Sequence, residues 1–468
     1  MSAAAAAPPA EGLRITPADI AAAAEPAAWG WACGPRLLWL LGGGVVLWLA
    51  MLVQPRWIIG LLAWEAGALL AWVVDARRMA APASLQVRRH WLDAAHLGGA
   101  RLRWSVRNVG ARSLRISLWD HLPVALTGGA EAHPLDWRWL AAGGEVCGES
   151  AFQPLELGPA DCGAATLCWQ TNWGLARRWA RAPLAQPIRV YPDLDAARRA
   201  AAGLSRLSPR QAQQRQARRA GPGREFASLR PFRSGDEPRD VCWPASGRAG
   251  RLVVKERQAE RGEPVWLVLD CGRLMRARTG GQRRLGQAAG IALALASTAV
   301  AGGDRIGLLA YGGGIQCRLP PAAGMGQWRL VLDRLGSLEA ERGEADHFHA
   351  AAVLLAAQPR RALVIWLTEL PESGALPEVI EAGAHVSQRH FLLLAVPRPA
   401  ELLAAALAVP ATPKEMYAAA AALDLAMRRQ ETLARLRARG ARALELPPEA
   451  MAAALVRQYL EIKQMGRL

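Results

Sequence analysis

The sequence predicts a multidomain protein made of an N-terminal two-helix transmembrane hairpin, an antiparallel β-sandwich and a doubly wound α/β domain. Three observations carry this prediction: two long apolar runs near the N-terminus, a stretch of period-2 hydrophobicity after them, and alternating strand and helix patterns in the C-terminal half. The length of 468 residues fits two to four folding units at roughly 100 to 200 residues each. With 52% hydrophobic and 21% charged residues, the composition excludes a disordered or collagen-like chain.

The transmembrane hairpin is predicted over residues 37–74. Leu37–Val53 and Trp57–Val74 are almost wholly apolar, and a short link separates them. A bilayer span needs roughly 17 to 25 apolar residues, so each run is long enough. Residues 1–36 are rich in Ala and Pro, and we expect a flexible N-terminal tail there rather than a signal peptide, since a second apolar run follows at once. A buried helical hairpin of a soluble protein is the alternative.

Arginines around the hairpin predict its orientation. The link holds only Arg56, whereas the outer ends of the two runs are flanked by Arg14, Arg36, Arg77, Arg78, Arg88 and Arg89. Because cytoplasmic flanks carry the excess of Lys and Arg, we expect two spans in the inner membrane with both termini in the cytoplasm. Glu65 lies mid-span, where an acid is a functional candidate by default. The alternative is a protonated or hydrogen-bonded side chain inside a helix bundle.

The β-sandwich is predicted over residues 84–192. Short alternating runs such as LQVRRHW, ARLRWSVRNV and AATLCWQTNW are separated by Gly, Pro and Asn clusters, which is typical of antiparallel strands and their turns. The chain has seven cysteines and no CxxC pair, so a disulfide framework or zinc ribbon is disfavoured. We therefore expect this domain to face a reducing compartment.

An arginine-rich connector is predicted over residues 198–261. It holds 16 basic and 6 acidic residues, which is more than half of the chain's net charge of +17. Such a charge is compatible with nucleic acid, an anionic membrane surface or an acidic protein partner. The acids interleaved with the arginines indicate internal ion pairs or a docking surface for a partner, and the sequence leaves both open.

The α/β domain is predicted over residues 262–468. Unbroken apolar strands joined by helices are typical of a parallel sheet covered on both faces. Ligands of such sheets bind at the carboxyl ends of the strands. Two strands end there in acids, Asp270 after VWLVL and Glu369 after ALVIWLT, and these acids are the candidate site residues.

A long motif gives the sequence a family resemblance. Gly223–Glu256 resembles the signature of the bacterial DUF58 proteins, in which it precedes a von Willebrand factor A-like domain. DHLP at 120–123, TNWGL at 171–175 and VYPDL at 190–194 resemble landmarks of the family's β-domain. The signature residues, for which we expect a structural or partner-docking role, are Glu225, Phe226, Arg230, Gly235, Asp236, Arg239, Trp243, Arg248 and Lys255.

The resemblance also implies a place for a divalent cation. Von Willebrand A domains commonly bind one through DxSxS, a threonine and a later aspartate. Here both serine positions have changed in Asp270-Cys271-Gly272-Arg273-Leu274, the threonine position is Ala345, and Glu369 replaces the aspartate. We expect this degenerate site to have lost its metal, so that no cofactor is required. A rescue hypothesis adds Asp346, with His347 or His349, as ligands. Its rival has Asp346 capping a helix.

The expected function is non-enzymatic. The sequence contains no GxSxG, HExxH or GxxxxGK[ST] motif, although a hydrolase or protease is the third hypothesis. The DUF58 resemblance implies a membrane-anchored adaptor that docks a protein partner, a MoxR-type AAA+ ATPase. With the metal-binding serines lost, we expect either a metal-independent docking mode or Arg273 in the place of the cation. The alternative is a protein that binds nucleic acid or anionic lipid through the connector.

Overall fold

The structure is a computed structural model that describes residues 16–205, 225–232, 241–258, 262–279, 281–370, 377–398 and 400–465. The described chain divides into two compact units between Asp193 and Leu194. We call them the β unit, which ends at Asp193, and the α/β unit, which begins at Leu194. All seven cysteines are free thiols.

The β unit contains two antiparallel sheets. The four-stranded sheet has the order β1-β3-β4-β7, the five-stranded sheet has the order β2-β10-β9-β5-β6, and β8 pairs with β11. The elements are β1 (Ile20–Ala23), β2 (Glu25–Cys33), α1 (Pro35–Val53), α2 (Ile58–Arg77), β3 (Leu85–Trp91), β4 (Ala100–Asn108), β5 (Leu114–Asp120), α3 (Val124–Thr127), β6 (Ala132–Leu140), β7 (Glu145–Phe152), β8 (Gly158–Cys162), β9 (Ala165–Gln170), β10 (Ala176–Ala182) and β11 (Gln186–Val190).

Alternation of buried and exposed residues builds the core of this unit. In β3 every second residue is buried, as the period-2 pattern predicts. One hydrophobic cluster joins side chains of both sheets, including Val87 and Trp104 of one and Ile116 and Trp169 of the other. Apolar burial between two sheets is therefore the main source of stability here.

The N-terminal segment corrects one prediction. Residues 20–33, part of the expected flexible tail, form β1 and β2, and these strands pair with β3 and β10. Because each of them satisfies the backbone groups of a sheet edge, this segment belongs to the β unit. Residues 1–15 lie outside the described residues.

Arg89 has a different role from that of a cation flanking the membrane. Its side chain is completely buried and forms a bidentate ion pair with Asp120 of the DHLP segment. The remaining guanidinium donors bind the carbonyls of Leu184 (2.7 Å) and Gly163 (2.9 Å). Trp104 donates to the same carboxylate (2.6 Å). Since every member of this buried group has partners, it stabilises one arrangement of the two sheets.

The two apolar runs form two helices, α1 and α2. Trp64 of α2 donates its indole N–H to the carbonyl of Leu40 (2.8 Å), and its ring lies against Gly43 and Gly44 of α1. By length and composition two described helices could cross a membrane: Pro55–Arg77, which includes the turn before α2 and is 6% buried, and Arg284–Ala301, which is 61% buried. Pro35–Ala50, within α1, is an apolar helix below the length required of such a span.

The α/β unit is built on a six-stranded sheet with the order β18-β17-β14-β19-β20-β21. All strands are parallel except β18, which runs antiparallel to β17 at one edge. Separately, β12 pairs with β13 and β15 with β16. The strands are β12 (Glu225–Pro231), β13 (Val253–Gln258), β14 (Pro264–Asp270), β15 (Arg278–Thr279), β16 (Gln282–Arg283), β17 (Arg305–Tyr311), β18 (Ile315–Ala322), β19 (Leu363–Leu367), β20 (Phe391–Pro397) and β21 (Arg442–Leu446).

Helices pack against this sheet and against each other. The helices α6, α7, α12 and α4 form one contacting group, and α8, α9 and α11 form another. Side chains of β14 alternate, so Trp266 and Val268 join the core with α8, α9 and α11, while Leu267 is buried with its side chain on the opposite face. The helices are α4 (Leu194–Ser205), α5 (Trp243–Ala249), α6 (Arg284–Ala301), α7 (Gly324–Leu335), α8 (His347–Ala357), α9 (Pro377–Arg389), α10 (Ala400–Leu407), α11 (Pro413–Ala438) and α12 (Pro448–Gln464).

Candidate functional site

The candidate site lies at the carboxyl ends of β14, β17 and β19. The parallel register places Asp270 beside Tyr311, and β19 ends one residue before Thr368. Glu369 follows directly. All four side chains are nearly or completely buried. The sequence prediction that strand ends bring Asp270 and Glu369 to one edge of the sheet therefore agrees with the structure.

Asp270 is held entirely by protein donors. The N–H of Gly272 donates to its Oδ1 (2.7 Å), and the hydroxyl of Thr368 donates to its Oδ2 (2.7 Å). Burial raises the pKa of Asp270 to about 6, and these hydrogen bonds act in the opposite direction. The carboxyl group therefore titrates just below neutral pH.

Glu369 is directed into a different network. Its Oε1 accepts from Arg429 of α11 (2.7 Å), and its Oε2 lies 3.2 Å from a guanidinium nitrogen of Arg284, the first residue of α6. Arg429 also pairs with Glu445 of β21 (3.0 Å) and donates to the carbonyl of Pro397 (3.0 Å). Burial raises the pKa of Glu369, and the two arginines oppose that shift. This carboxylate links α6, α11 and the sheet.

Sequence reasoning missed Arg429, which lies sixty residues after Glu369. Its signal was a helical one: Arg429, Leu433 and Leu436 share a face at i, i+4 and i+7, and all three are buried. An arginine in an apolar stripe needs a buried acid as partner. The identity of that acid depends on how α11 lies on the sheet, which local pattern does not determine.

Asp346 caps a helix, as the second of the two alternatives predicts. Its carboxylate accepts from the N–H of His349 (2.8 Å) at the start of α8. His347 is buried, and its Nδ1 lies 2.8 Å from the hydroxyl of Tyr311, which also accepts from the indole N–H of Trp366 (2.7 Å). Burial lowers the pKa of His347 to about 4. His349 is exposed, so neither histidine joins the two acids.

The residues present do not fit a divalent cation. Among the described residues, no group of three or more His, Cys, Asp or Glu side chains is placed to hold a metal ion. The loop after β14 also leaves no room for the hydroxyl ligands of such a site. A Cβ on Gly272 would lie 2.8 Å from the Cβ of Ala345. A serine at position 272 would therefore collide with the residue at the threonine position, so the geometry at this edge contains no oxygen-lined cup for a hard cation.

Arg273 lies on the exposed rim of the site. Its guanidinium binds the carboxylate of Glu344 through two nitrogens (2.5 and 2.9 Å), and the two side chains are 57% and 63% exposed. The N–H of Arg273 also donates to the carbonyl of Gly343 (2.8 Å). These bonds join the loop after β14 to the loop before α8. The described charged partner of Arg273 is therefore Glu344 and not Asp270.

The signature residues are only partly described. Glu225 and Phe226 lie on β12, and Leu229 pairs with Lys255 of β13. Trp243 begins α5 and is 69% exposed, so within the α/β unit it is not a core residue. The Arg230 guanidinium donates to Pro231 O (3.2 Å) and Arg248 Nε donates to Pro244 O (3.2 Å). Gly235, Asp236 and Arg239, with much of the connector, lie outside the described residues.

Glu65 lies on an exposed face of α2, surrounded in sequence by other exposed residues. It takes no part in the contacts between α1 and α2 that involve Trp64, Gly43 and Gly44. Glu65 belongs to the β unit, whereas the site at the edge of the sheet belongs to the α/β unit.

Comparison with known proteins supports the resemblance. Residues 228–408 match a family described as "Protein of unknown function DUF58". An uncharacterised protein of Mycobacterium tuberculosis is 26% identical over 118 residues, which is 25% of this chain and 37% of that relative. The chain thus spans just over a third of the length of this relative.

Two solved structures share a weaker likeness. The conserved hypothetical protein BatB from Bacteroides thetaiotaomicron is 14% identical over 44% of this chain and 100% of its own, with a TM-score of 0.29. A von Willebrand factor type A protein from Catenulispora acidiphila is 15% identical over 39% of this chain and 43% of its own, with a TM-score of 0.23. Both scores are too low to support an argument about function. The family match confirms the DUF58 resemblance over residues 228–408.

Proposed function

We propose that this protein is a membrane-anchored, non-enzymatic adaptor that docks a protein partner through a von Willebrand A-like, doubly wound α/β domain. One observation carries the proposal: the buried acids at the edge of the sheet are bound by the protein's own donors. Asp270 is bound by Gly272 and Thr368, and Glu369 by Arg429 and Arg284. Acids held in this way position loops, and Arg273 and Glu344 form an exposed ion pair at the rim.

The contacts at the ends of the hairpin support the membrane part of this proposal. Arg36, in the first turn of α1, donates to the carbonyls of Asn172 (2.6 Å) and Trp173 (3.3 Å). Arg78, just after α2, lies over the ring of Trp173 (4.5 Å). Cations at the outer ends of both helices fit two spans in the inner membrane with cytoplasmic termini. The TNWGL segment, residues 171–175, would then lie close to the membrane surface.

The partner we propose is a MoxR-type AAA+ ATPase, which follows from the DUF58 resemblance. The rim pair Arg273 and Glu344 supports a docking face because exposed, preorganised charges set partner choice and association rate. No cofactor is needed for this role.

The test compares two exposed, ion-paired arginines, one at the rim of the site and one on α11. Arg273→Ala removes the rim guanidinium. Arg435→Ala removes an arginine of α11 that pairs with Glu431 at 2.5 Å and is 62% exposed, nearly the same as Arg273. Binding of the full-length protein in nanodiscs to a purified MoxR-type ATPase is measured with and without ATP. We expect about tenfold weaker binding for Arg273→Ala, equivalent to about 1.4 kcal/mol, and wild-type binding for Arg435→Ala.

Each failure has its own meaning. Equal binding by both variants contradicts the rim as the docking face. No binding by the wild-type protein contradicts the ATPase as the partner. Turnover of a screened ester, peptide or phosphate substrate that is lost in Asp270→Asn contradicts the non-enzymatic role.

A further inference from the structure

A small cavity lies at the foot of the hairpin, inside the β unit. Its volume is about 290 Å³, and it is formed by the last turns of α2, the residues that follow α2, and strands β2 and β10. Its walls include Trp31, Trp72 and Met79, and its two charged residues are Arg77 and Arg178. Aromatic and apolar walls with a small number of charges are typical of a ligand site.

The two arginines carry positive charge that no carboxylate neutralises within the described residues. Arg178 lies with its guanidinium over the rings of Trp31 (4.6 Å) and Trp169 (5.9 Å), and it donates to the carbonyl of Ala80 (3.5 Å). Burial lowers the pKa of Arg178, which reflects a partly desolvated cation. Arg77 is exposed in the last turn of α2. A guanidinium stacked on aromatic rings keeps its N–H donors at its edge, where the oxygens of an anion can accept from them.

Trp72, one of the wall residues of the cavity, also carries an unsatisfied donor. The indole N–H of Trp72 is buried, and no described residue accepts a hydrogen bond from it. A buried N–H without an acceptor is unfavourable, so a ligand oxygen that reaches it gains a hydrogen bond. The nitrogen has almost no solvent exposure, so the Trp72 ring must turn toward the cavity for a ligand to reach it.

The position of the cavity at the end of α2 indicates which anion it binds. It lies at the end of α2, where the exposed apolar side chains of the span give way to the β unit. On the membrane topology proposed above, on which this inference rests, that level is the cytoplasmic headgroup region. Tryptophan is enriched there, and basic pockets on that side bind anionic headgroups.

We propose that this cavity binds the phosphate of an anionic phospholipid headgroup. The phosphate oxygens accept from Arg178 and Arg77, the Trp72 indole donates to a third oxygen, and the acyl chains lie along the exposed face of α2. A bound lipid of this kind fixes the depth of the hairpin and the β unit relative to the membrane surface.

The test uses the full-length protein in nanodiscs and in detergent. Phosphatidylglycerol and phosphatidylcholine are titrated separately, and bound lipid is counted by native mass spectrometry while tryptophan fluorescence reports the cavity. We expect about tenfold tighter binding of phosphatidylglycerol by the wild-type protein. Arg77→Gln with Arg178→Gln abolishes that preference. Trp72→Phe keeps the ring but not the donor, and weakens binding of phosphatidylglycerol about threefold.

Controls separate the possible causes. Arg181→Gln changes an exposed arginine of the same strand, β10, outside the cavity, and should leave the preference intact. If Arg178→Gln fails to fold, Arg77→Gln alone still tests the site, because its side chain is exposed. No preference in the wild-type protein, or a preference that survives the double substitution, overturns the proposal.

Two further outcomes are distinct. Displacement of phosphatidylglycerol by millimolar inorganic phosphate would show a site for soluble phosphate and would overturn the assignment to lipid. Failure of the wild-type protein to float with phosphatidylcholine vesicles would contradict the membrane anchor itself. Flotation with no phosphatidylglycerol preference would overturn only the headgroup site.

Discussion

The helices α2 and α6 are both long and apolar enough to cross a membrane, yet their surroundings are opposite. The apolar window that contains α2 is 6% buried, whereas that of α6 is 61% buried. In α6, Ala and Gly dominate and allow close packing against the sheet and against α12. In α2, Leu and Ile side chains project outward. Apolar composition therefore indicates that a helix is removed from water. Whether it packs against protein or faces lipid depends on its neighbours in the fold.

Each helix is fixed at one end by a charged residue. Asp75, in the last turn of α2, is completely buried, and it accepts from Thr171 and from the backbone N–H groups of Leu175 (2.9 Å) and Ala176 (3.0 Å). Arg284, the first residue of α6, pairs with Glu369. The anchor of α2 therefore joins the hairpin to the TNWGL segment, and that of α6 joins the helix to the candidate site.

The largest effect is expected for Leu293→Arg in the middle of α6. Leu293 is completely buried, so arginine there is both too large and unpaired. We expect the α/β unit to lose more than about 4 kcal/mol of its free energy of unfolding. Denaturant unfolding of the full-length protein in detergent, followed by circular dichroism, measures the loss. Leu293→Met, which conserves volume, is the control. An unchanged transition would show that α6 is not a core helix.

The same substitution in α2, Leu69→Arg, tests the opposite surroundings. Leu69 is 62% exposed, so the denaturant transition in detergent should stay as in the wild type. Insertion into a bilayer should instead become less favourable by about 2.5 to 3.5 kcal/mol, the cost of arginine near the centre of a span. The fraction of protein that resists carbonate extraction from membranes measures this. Loss of folding in detergent would place α2 in a protein core.

A smaller effect is expected for Asp75→Ala, which removes the anchor of α2. The N–H groups of Leu175 and Ala176 lose their acceptor, and an unsatisfied buried donor costs about 1–3 kcal/mol. Near-ultraviolet circular dichroism of the tryptophan-rich β unit during denaturation reports the loss. Asp75→Asn keeps one acceptor oxygen and should lose less. Equal stability of Asp75→Ala and the wild type would contradict the role of this contact.

The sequence predicts local elements well and distant pairings poorly. The apolar runs correctly predicted two helices, and the acids after two apolar strands lie at the edge of the sheet as expected. The strand β1 was missed because Ile20–Ala23 carries little pattern and forms only by pairing with β3, more than sixty residues later. The pairing of Glu369 with Arg429 was missed for the same reason. Both depend on tertiary geometry, which periodicity does not encode.

The smallest effect concerns the edge of the sheet where Asp270 and His347 are buried. The contributions of these two groups to stability change with pH in opposite directions. The pKa of Asp270 is about 6 in the folded state against an ordinary value of 3.8, so its contribution to stability is present below about pH 4 and is lost as pH rises through 6. The pKa of His347 is about 4 against an ordinary value of 6.5, so its contribution is present above 6.5 and is lost as pH falls through 4. In the wild type the two trends offset each other between pH 4 and 6.

Removing either group should therefore reveal the pH dependence of stability that the other group causes. Asp270→Asn leaves the histidine, and its free energy of unfolding should fall more steeply than that of the wild type as the pH is lowered from 6.5 to 4. His347→Phe leaves the aspartate, and its stability should rise over the same interval. Urea unfolding at four pH values measures both slopes. The equivalent anchor substitution on α2, Asp75→Asn, should leave the pH dependence of the α/β unit unchanged, because Asp75 belongs to the other unit. Parallel slopes for Asp270→Asn, His347→Phe and the wild type would show that the buried edge does not titrate in this range.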